Sequence, residues 1–150
     1  MFVKPTEELL GDYLVMVNEI ENVTRFIGRR LTPFTPDEER AFIQSKIEAK
    51  ATMYSMIERE NGKFIGNIEF MNVKDKTAEL GVAITASKQN LGYGIEAIRR
   101  ILEYGFQTLG LERVSLKVYP DNKRAIHVYE KCGFSIYNST EEEIFMEIRK

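Results

Sequence analysis

Two short stretches of the chain carry residue types suited to group-transfer chemistry on a phosphate-bearing molecule. The first is Gln89-Asn90-Leu91-Gly92-Tyr93-Gly94, placed between an alternating apolar stretch and a helical pattern that begins near Tyr93. At a helix start the first backbone N–H groups lack internal partners, and the helix dipole favours an anion there. Glycines let the backbone approach a pyrophosphate with no Cβ in the way. The second stretch is Asn122-x-x-Ala125-x-x-x-Tyr129-Glu130-Lys131-x-Gly133-Phe134. On a helix starting near Asn122, positions 122, 125, 126 and 129 share one face. That face carries an amide, a small side chain and a phenol, as a surface touching a ligand would. His127 is turned away from Tyr129, which argues against a His–Tyr proton relay. Plainer roles exist for the same residues: a glycine connector, a capping asparagine and an aromatic staple.

The elements that must position these residues can be read from periodicity and turn chemistry. Leu9, Leu10, Tyr13, Leu14 and Val17 fall at helical spacing, predicting a helix from Thr6 to about Asn22. Thr35-Pro36-Asp37-Glu38 predicts a second start, with an N-cap hydroxyl, a first-position proline and first-turn acids, running to about Ala49. Residues 52–59 and 63–72 flank Asn61-Gly62, a dipeptide favoured in tight hairpins. Lys74-Asp75-Lys76 makes a further turn into a strand at 77–84. A helix at about 93–108, a strand at 113–119 and the helix of the second motif follow, then short strands near 134–137 and 143–149. A meander followed by a β-α-β unit implies a mixed sheet with helices on its faces.

Together, in this order and at this spacing, the two motifs resemble the GNAT superfamily of N-acetyltransferases, most of all its ribosomal-protein N-terminal and spermidine acetyltransferase branch. They cover about residues 77–137; before residue 50 the likeness is one of element order. The resemblance implies an α+β (mixed α/β) fold. Its centre would be a mixed, mostly antiparallel sheet with a splayed parallel strand pair, helices on both faces, and residues 1–150 forming a single acetyltransferase domain. It also implies acetyl-CoA as co-substrate, with Gln89, Asn90, Leu91, Gly92, Tyr93 and Gly94 forming the pyrophosphate loop. Val82, Ala83 and Ile84, on the strand that splays, are the implied backbone contacts of the pantetheine arm, and a main-chain N–H there can steady an oxyanion. Asn122 is the implied contact to the same arm, and Tyr129 the implied proton donor to the departing thiolate.

The implied reaction is direct attack by a primary amine on the acetyl thioester. A lysine-like amine is under roughly 0.1% neutral at pH 7, and an α-amine on the order of 10% neutral, so a base matters more for the first. The ribosomal alanine acetyltransferases place a glutamate five residues before the motif asparagine; this chain has Lys117 there. Glu79 is the leading replacement, with Glu69 second. The acidic run Glu141-Glu142-Glu143 could attract a cation, though such loops are usually only solvated. A protein N-terminus, a polyamine or another small amine is the expected acceptor. The competing reading is a catalytically silent acyl-CoA-binding sensor or interaction module of the same fold.

The remaining features limit other classes. Gly92-x-Gly94-x-x-Ala97 also satisfies a dinucleotide fingerprint, but only about fifty residues follow, too few for a doubly wound domain. A net charge of −2 argues against nucleic acid as a partner. No apolar run approaches the ~20 residues of a membrane span, and no signal-peptide pattern opens the chain, so a cytoplasmic location is expected. Cys132 and His127 are each the sole residue of their type, which excludes an intrachain disulfide and gives no metal site. Assembly is left open to a homodimer.

Overall fold

The computed structural model describes residues 1–19 and 32–150. In chain order it contains β1 (Phe2–Val3), a 3-10 turn (Glu7–Leu9), α1 (Leu10–Asn18), α2 (Pro36–Glu48), β2 (Thr52–Ile57), β3 (Phe64–Lys74) and β4 (Thr77–Ile84). After a second 3-10 turn (Ala86–Lys88) come α3 (Tyr93–Gln107), β5 (Arg113–Val118), α4 (Lys123–Lys131), β6 (Ser135–Ser139) and β7 (Ile144–Arg149). The strands form one seven-stranded sheet in the order β1-β2-β3-β4-β5-β7-β6. β4 and β5 are parallel, while β1–β2, β5–β7 and β6–β7 are antiparallel. The mixed sheet and the parallel pair agree with the sequence expectation.

Two compact units can be distinguished, one formed by Met1–Glu69 and Val82–Asn90, the other by Phe70–Gly81 and Leu91–Lys150. In the first, Tyr13, Met16 and Val17 of α1 join Ile43 of α2, Met53 of β2 and Phe64 of β3 in an apolar cluster, with Ala83 packed against it. α2 starts as its sequence requires: the Thr35 hydroxyl accepts from Glu38 N–H, and the Glu38 carboxylate accepts from Thr35 N–H. α1 is shorter than expected. Its cap residue Glu19 is already extended, so the helix stops at Asn18, and positions 20–22 of the predicted helix lie outside the described residues.

The hairpin at Asn61-Gly62 also differs from a two-residue turn. Gly62 has φ +70°, but Asn61 is absent from the left-handed region. Its side chain donates to Glu58 Oε2 at 2.6 Å and accepts from Lys63 N–H at 2.8 Å, which stabilises a wider connection. The tight turn is the next one, where Asp75 and Lys76 both adopt positive φ.

In the second unit, Ala97, Ile98, Ile101, Leu102 and Gly105 form the buried face of α3, and Val114, Leu116 and Val118 the inward face of β5. The β4–β5 ladder pairs Thr77 with Arg113, Ala78 with Val114 and Glu79 with Ser115. Both strands run on beyond it, to Ile84 and Val118.

Candidate active site

The loop between β4 and α3 is anchored at its upstream end in the first unit. Glu19 accepts from Thr85 Oγ1 at 2.5 Å and from Ala86 N–H at 3.1 Å, and Lys88 pairs with Glu58 at 2.5 Å. The Gln89 amide donates to the Ile84 carbonyl at 2.8 Å, so this predicted loop residue folds its side chain back onto the end of β4. Asn90 follows in the left-handed region with φ +61°.

Within the same unit Gly66 of β3 sets how close the backbone of β4 can come. An ideal Cβ there would lie 2.1 Å from the Ala83 carbonyl oxygen and 2.9 Å from Ile84 Cα, both backbone atoms. The positions expected to contact the pantetheine arm are thus held against a residue that sequence reasoning passed over. Among the local signals only the glycine inside an otherwise apolar strand pointed to it.

In the second unit Gly92 is the N-cap of α3, with φ +84° and no side-chain cap; the first helical bond runs from Glu96 N–H to the Gly92 carbonyl at 3.2 Å. A 15-residue helix therefore begins on a glycine that leaves its N-terminal donors uncovered by a side chain of its own. Leu91 is exposed beside it.

α4 carries the second motif as its spacing predicts. Asn122 is the N-cap, and its Oδ1 accepts from Ala125 N–H at 3.3 Å. Asn122, Ala125, Ile126 and Tyr129 are buried, whereas His127 is exposed. Asn122 is only 2% exposed, yet its Nδ2 has no hydrogen-bond acceptor among the described residues. A buried amide donor left unpaired costs free energy, and such groups are rare in native proteins. The Tyr129 phenol is pushed up to about 12 by burial, with Cys132 adding to it, and no hydrogen bond to a described residue opposes the shift. Gly133, at φ +102°, ends the helix, and Phe134 turns back into the core with its N–H on the Tyr129 carbonyl at 3.0 Å. Burial also raises the Cys132 thiol, whose sulfur lies 4.0 Å from the carbonyl of Ile95. The end of the tyrosine helix thus meets the first turn of α3.

The carboxylates are placed differently. Glu79 is half-buried on β4 opposite Ser115 and accepts from Asn72 Nδ2 at 3.2 Å. Glu69 is tied to Lys46 at 2.7 Å, with both side chains largely covered. Lys117 is exposed on β5, across from Phe145. Glu112 pairs with Lys76 at 3.1 Å on the surface.

Residues 1–135 match the family described as acetyltransferase (GNAT) domain, and the chain belongs to that family. It is 32% identical over 113 residues to the uncharacterized N-acetyltransferase YnaD of Bacillus subtilis (75% of this chain, 65% of that protein). It is 30% identical over 115 residues to the spermidine N(1)-acetyltransferase of Vibrio cholerae (75% and 66%). The chain therefore spans slightly under two thirds of the length of these curated relatives. A crystal structure of the Vibrio cholerae spermidine N-acetyltransferase, in complex with CoA and spermine, shares the fold with a TM-score of 0.84. The two are 21% identical, and the likeness covers 99% of this chain and 94% of that one. Among the described residues no helix is long and apolar enough to cross a membrane.

Proposed function

We propose that residues 1–150 act as one acetyl-CoA-dependent N-acetyltransferase domain that moves the acetyl group to a primary amine. The observation that carries the reading is on α4: a buried amide donor with no acceptor among the described residues, two turns before a buried phenol with no hydrogen bond to a described residue. Such a pair suits a ligand that supplies the missing contacts. Acetyl-CoA brings an activated thioester, and the residues fit it. The N-terminal donors of α3, reached through Gly92 and Gly94, hold the pyrophosphate with Gln89, Asn90, Leu91 and Tyr93 shaping the loop. The backbone of Val82, Ala83 and Ile84 holds the arm, and Asn122 Nδ2 donates to it.

Tyr129 stays protonated across the neutral range, as a proton donor to a leaving thiolate must. Against an ordinary thiol near 8.5, full transfer from a phenol near 12 is uphill. The hydrogen bond to developing charge is accordingly the larger part of its role, and the same dry surroundings raise the thiol to meet it.

Glu79 serves as the base, acting through water. If so, Glu79→Gln lowers kcat/KM most near neutral pH and less as alkaline solution supplies neutral amine; parallel profiles would reduce Glu79 to a positional role. The name of the Vibrio cholerae relative favours a polyamine acceptor. The exposed Lys117, where a branch of the family has a glutamate, favours the second reading, an acyl-CoA-binding module without turnover. A pooled panel of polyamines, peptide N-termini and small amines, read by release of free CoA, separates the two. Binding of acetyl-CoA with no CoA released would leave only the module.

A further inference from the structure

Glu39, in the first turn of α2, is 4% exposed. Its carboxylate makes no hydrogen bond or ion pair with a described residue, and burial raises it above the usual carboxylate range with nothing opposing. The cations of its own helix are engaged elsewhere, Arg40 with Asp37 at 3.2 Å and Lys46 with Glu69 at 2.7 Å. The hydroxyls nearby are engaged too. Thr6 N–H donates to the Tyr13 oxygen at 3.3 Å, Tyr13 shares a proton with Ser55 at 2.6 Å, and Ser55 donates to Asn67 at 2.8 Å. Because Ser55 gives its proton to Asn67, Tyr13 must give its own to Ser55 and has none for Glu39. The charge of Glu39 nevertheless bears on the Tyr13 phenol. A carboxylate with no described partner on a largely buried side chain is disfavoured, and a cation relieves the cost.

The position is also informative. Glu39 lies one helical turn before Ile43, in the cluster that contains Tyr13 and against which Ala83 packs. Ala83 belongs to the strand end assigned above to the acetyl-bearing arm. A carboxylate stabilises the protonated form of an amine, whereas the nitrogen that attacks must be neutral.

We propose that Glu39 receives a second, non-reacting ammonium of a di- or polyamine acceptor, next to the strand end where the acetyl group is delivered. This rests on the acetyltransferase reading and names the acceptor class within it: aliphatic amines with two or more positive centres, preferred over amines with a neutral tail.

Calorimetry with spermidine on the parent, Glu39→Gln and Glu39→Asp tests the assignment without requiring turnover, with acetyl-CoA affinity as the folding control. Spermidine should bind Glu39→Gln at least 10-fold more weakly than the parent, and Glu39→Asp, which keeps the charge, more tightly than Glu39→Gln. In steady state, the ratio of kcat/KM for spermidine to that for a linear alkyl monoamine of equal length should fall at least 10-fold in Glu39→Gln. Equal spermidine affinity in parent and Glu39→Gln, equal affinity in the two variants, or absence of binding to the parent overturns the proposal. So does a loss shared equally by spermidine and the monoamine. Failure of the acetyltransferase reading shows separately, as a parent that releases no CoA with any amine.

Discussion

Tyr13 and Tyr129 are both buried, and burial raises both phenols, but their surroundings differ in kind. The Tyr13 hydroxyl lies in a closed chain, from Thr6 N–H through Ser55 to Asn67, and those bonds partly offset the effect of burial. Among the described residues Tyr129 has no such chain, and the Nδ2 of Asn122 on the same helix face has no acceptor. The Tyr13 hydroxyl thus has its hydrogen bonds completed by residues of its own unit, whereas the Asn122 amide and the Tyr129 phenol find no hydrogen-bond partner among the described residues. A completed network holds a structure together; open donors await something from outside.

The comparison breaks most visibly at the two phenols. Tyr129→Phe should lower kcat about 10²- to 10⁴-fold when chemistry limits turnover, with little change in unfolding midpoint. Tyr13→Phe should instead cost about 1–3 kcal/mol of stability in urea unfolding, since Thr6 N–H and Ser55 lose their partner. Should Tyr129→Phe unfold as easily as Tyr13→Phe while keeping kcat, the distinction between the two regions fails.

Asn122 separates cap from ligand. Asn122→Ser retains an oxygen to accept from Ala125 N–H but removes the Nδ2 donor. Acetyl-CoA affinity by calorimetry should fall about 10-fold, roughly 1.4 kcal/mol, with the smaller effect on stability. A variant that binds acetyl-CoA like the parent would show the amide to be only a cap.

A smaller effect concerns alkaline stability. Tyr129 ionises near 12 when folded and near the ordinary value of 10 when unfolded. Its contribution is therefore complete below pH 10 and is lost as pH rises towards 12. The parent should lose about 1 kcal/mol more than Tyr129→Phe between pH 9 and 11. Identical pH curves would mean that the phenol is not held in dry surroundings.

What was legible in the sequence was local. The capping box at Thr35, the helix from Asn122 with its buried face, and the stop at Gly133 each depend on residues a few positions apart, where spacing and backbone preference act directly. What was not legible depends on residues distant in the chain. Nothing near Glu39 in the chain marks it as the buried member of a run of first-turn acids. Lys46 came from 23 residues away to occupy Glu69. Asn61-Gly62 misled because Glu58 and Lys63 gave the asparagine side chain better partners than a two-residue turn would.

Gly66 bears on how such a protein could change its preferences. A side chain there would run into the Ala83 carbonyl, which is main chain and cannot swing aside. A mutational library selected for new acceptors should leave position 66 fixed, because any replacement displaces the Ala83–Ile84 backbone of β4 whatever amine is offered. Position 39 belongs to the opposite category: its side chain has no hydrogen bond or ion pair with a described residue to lose. Acceptor choice could then drift along α2 while the spacing of β3 and β4 stays constant.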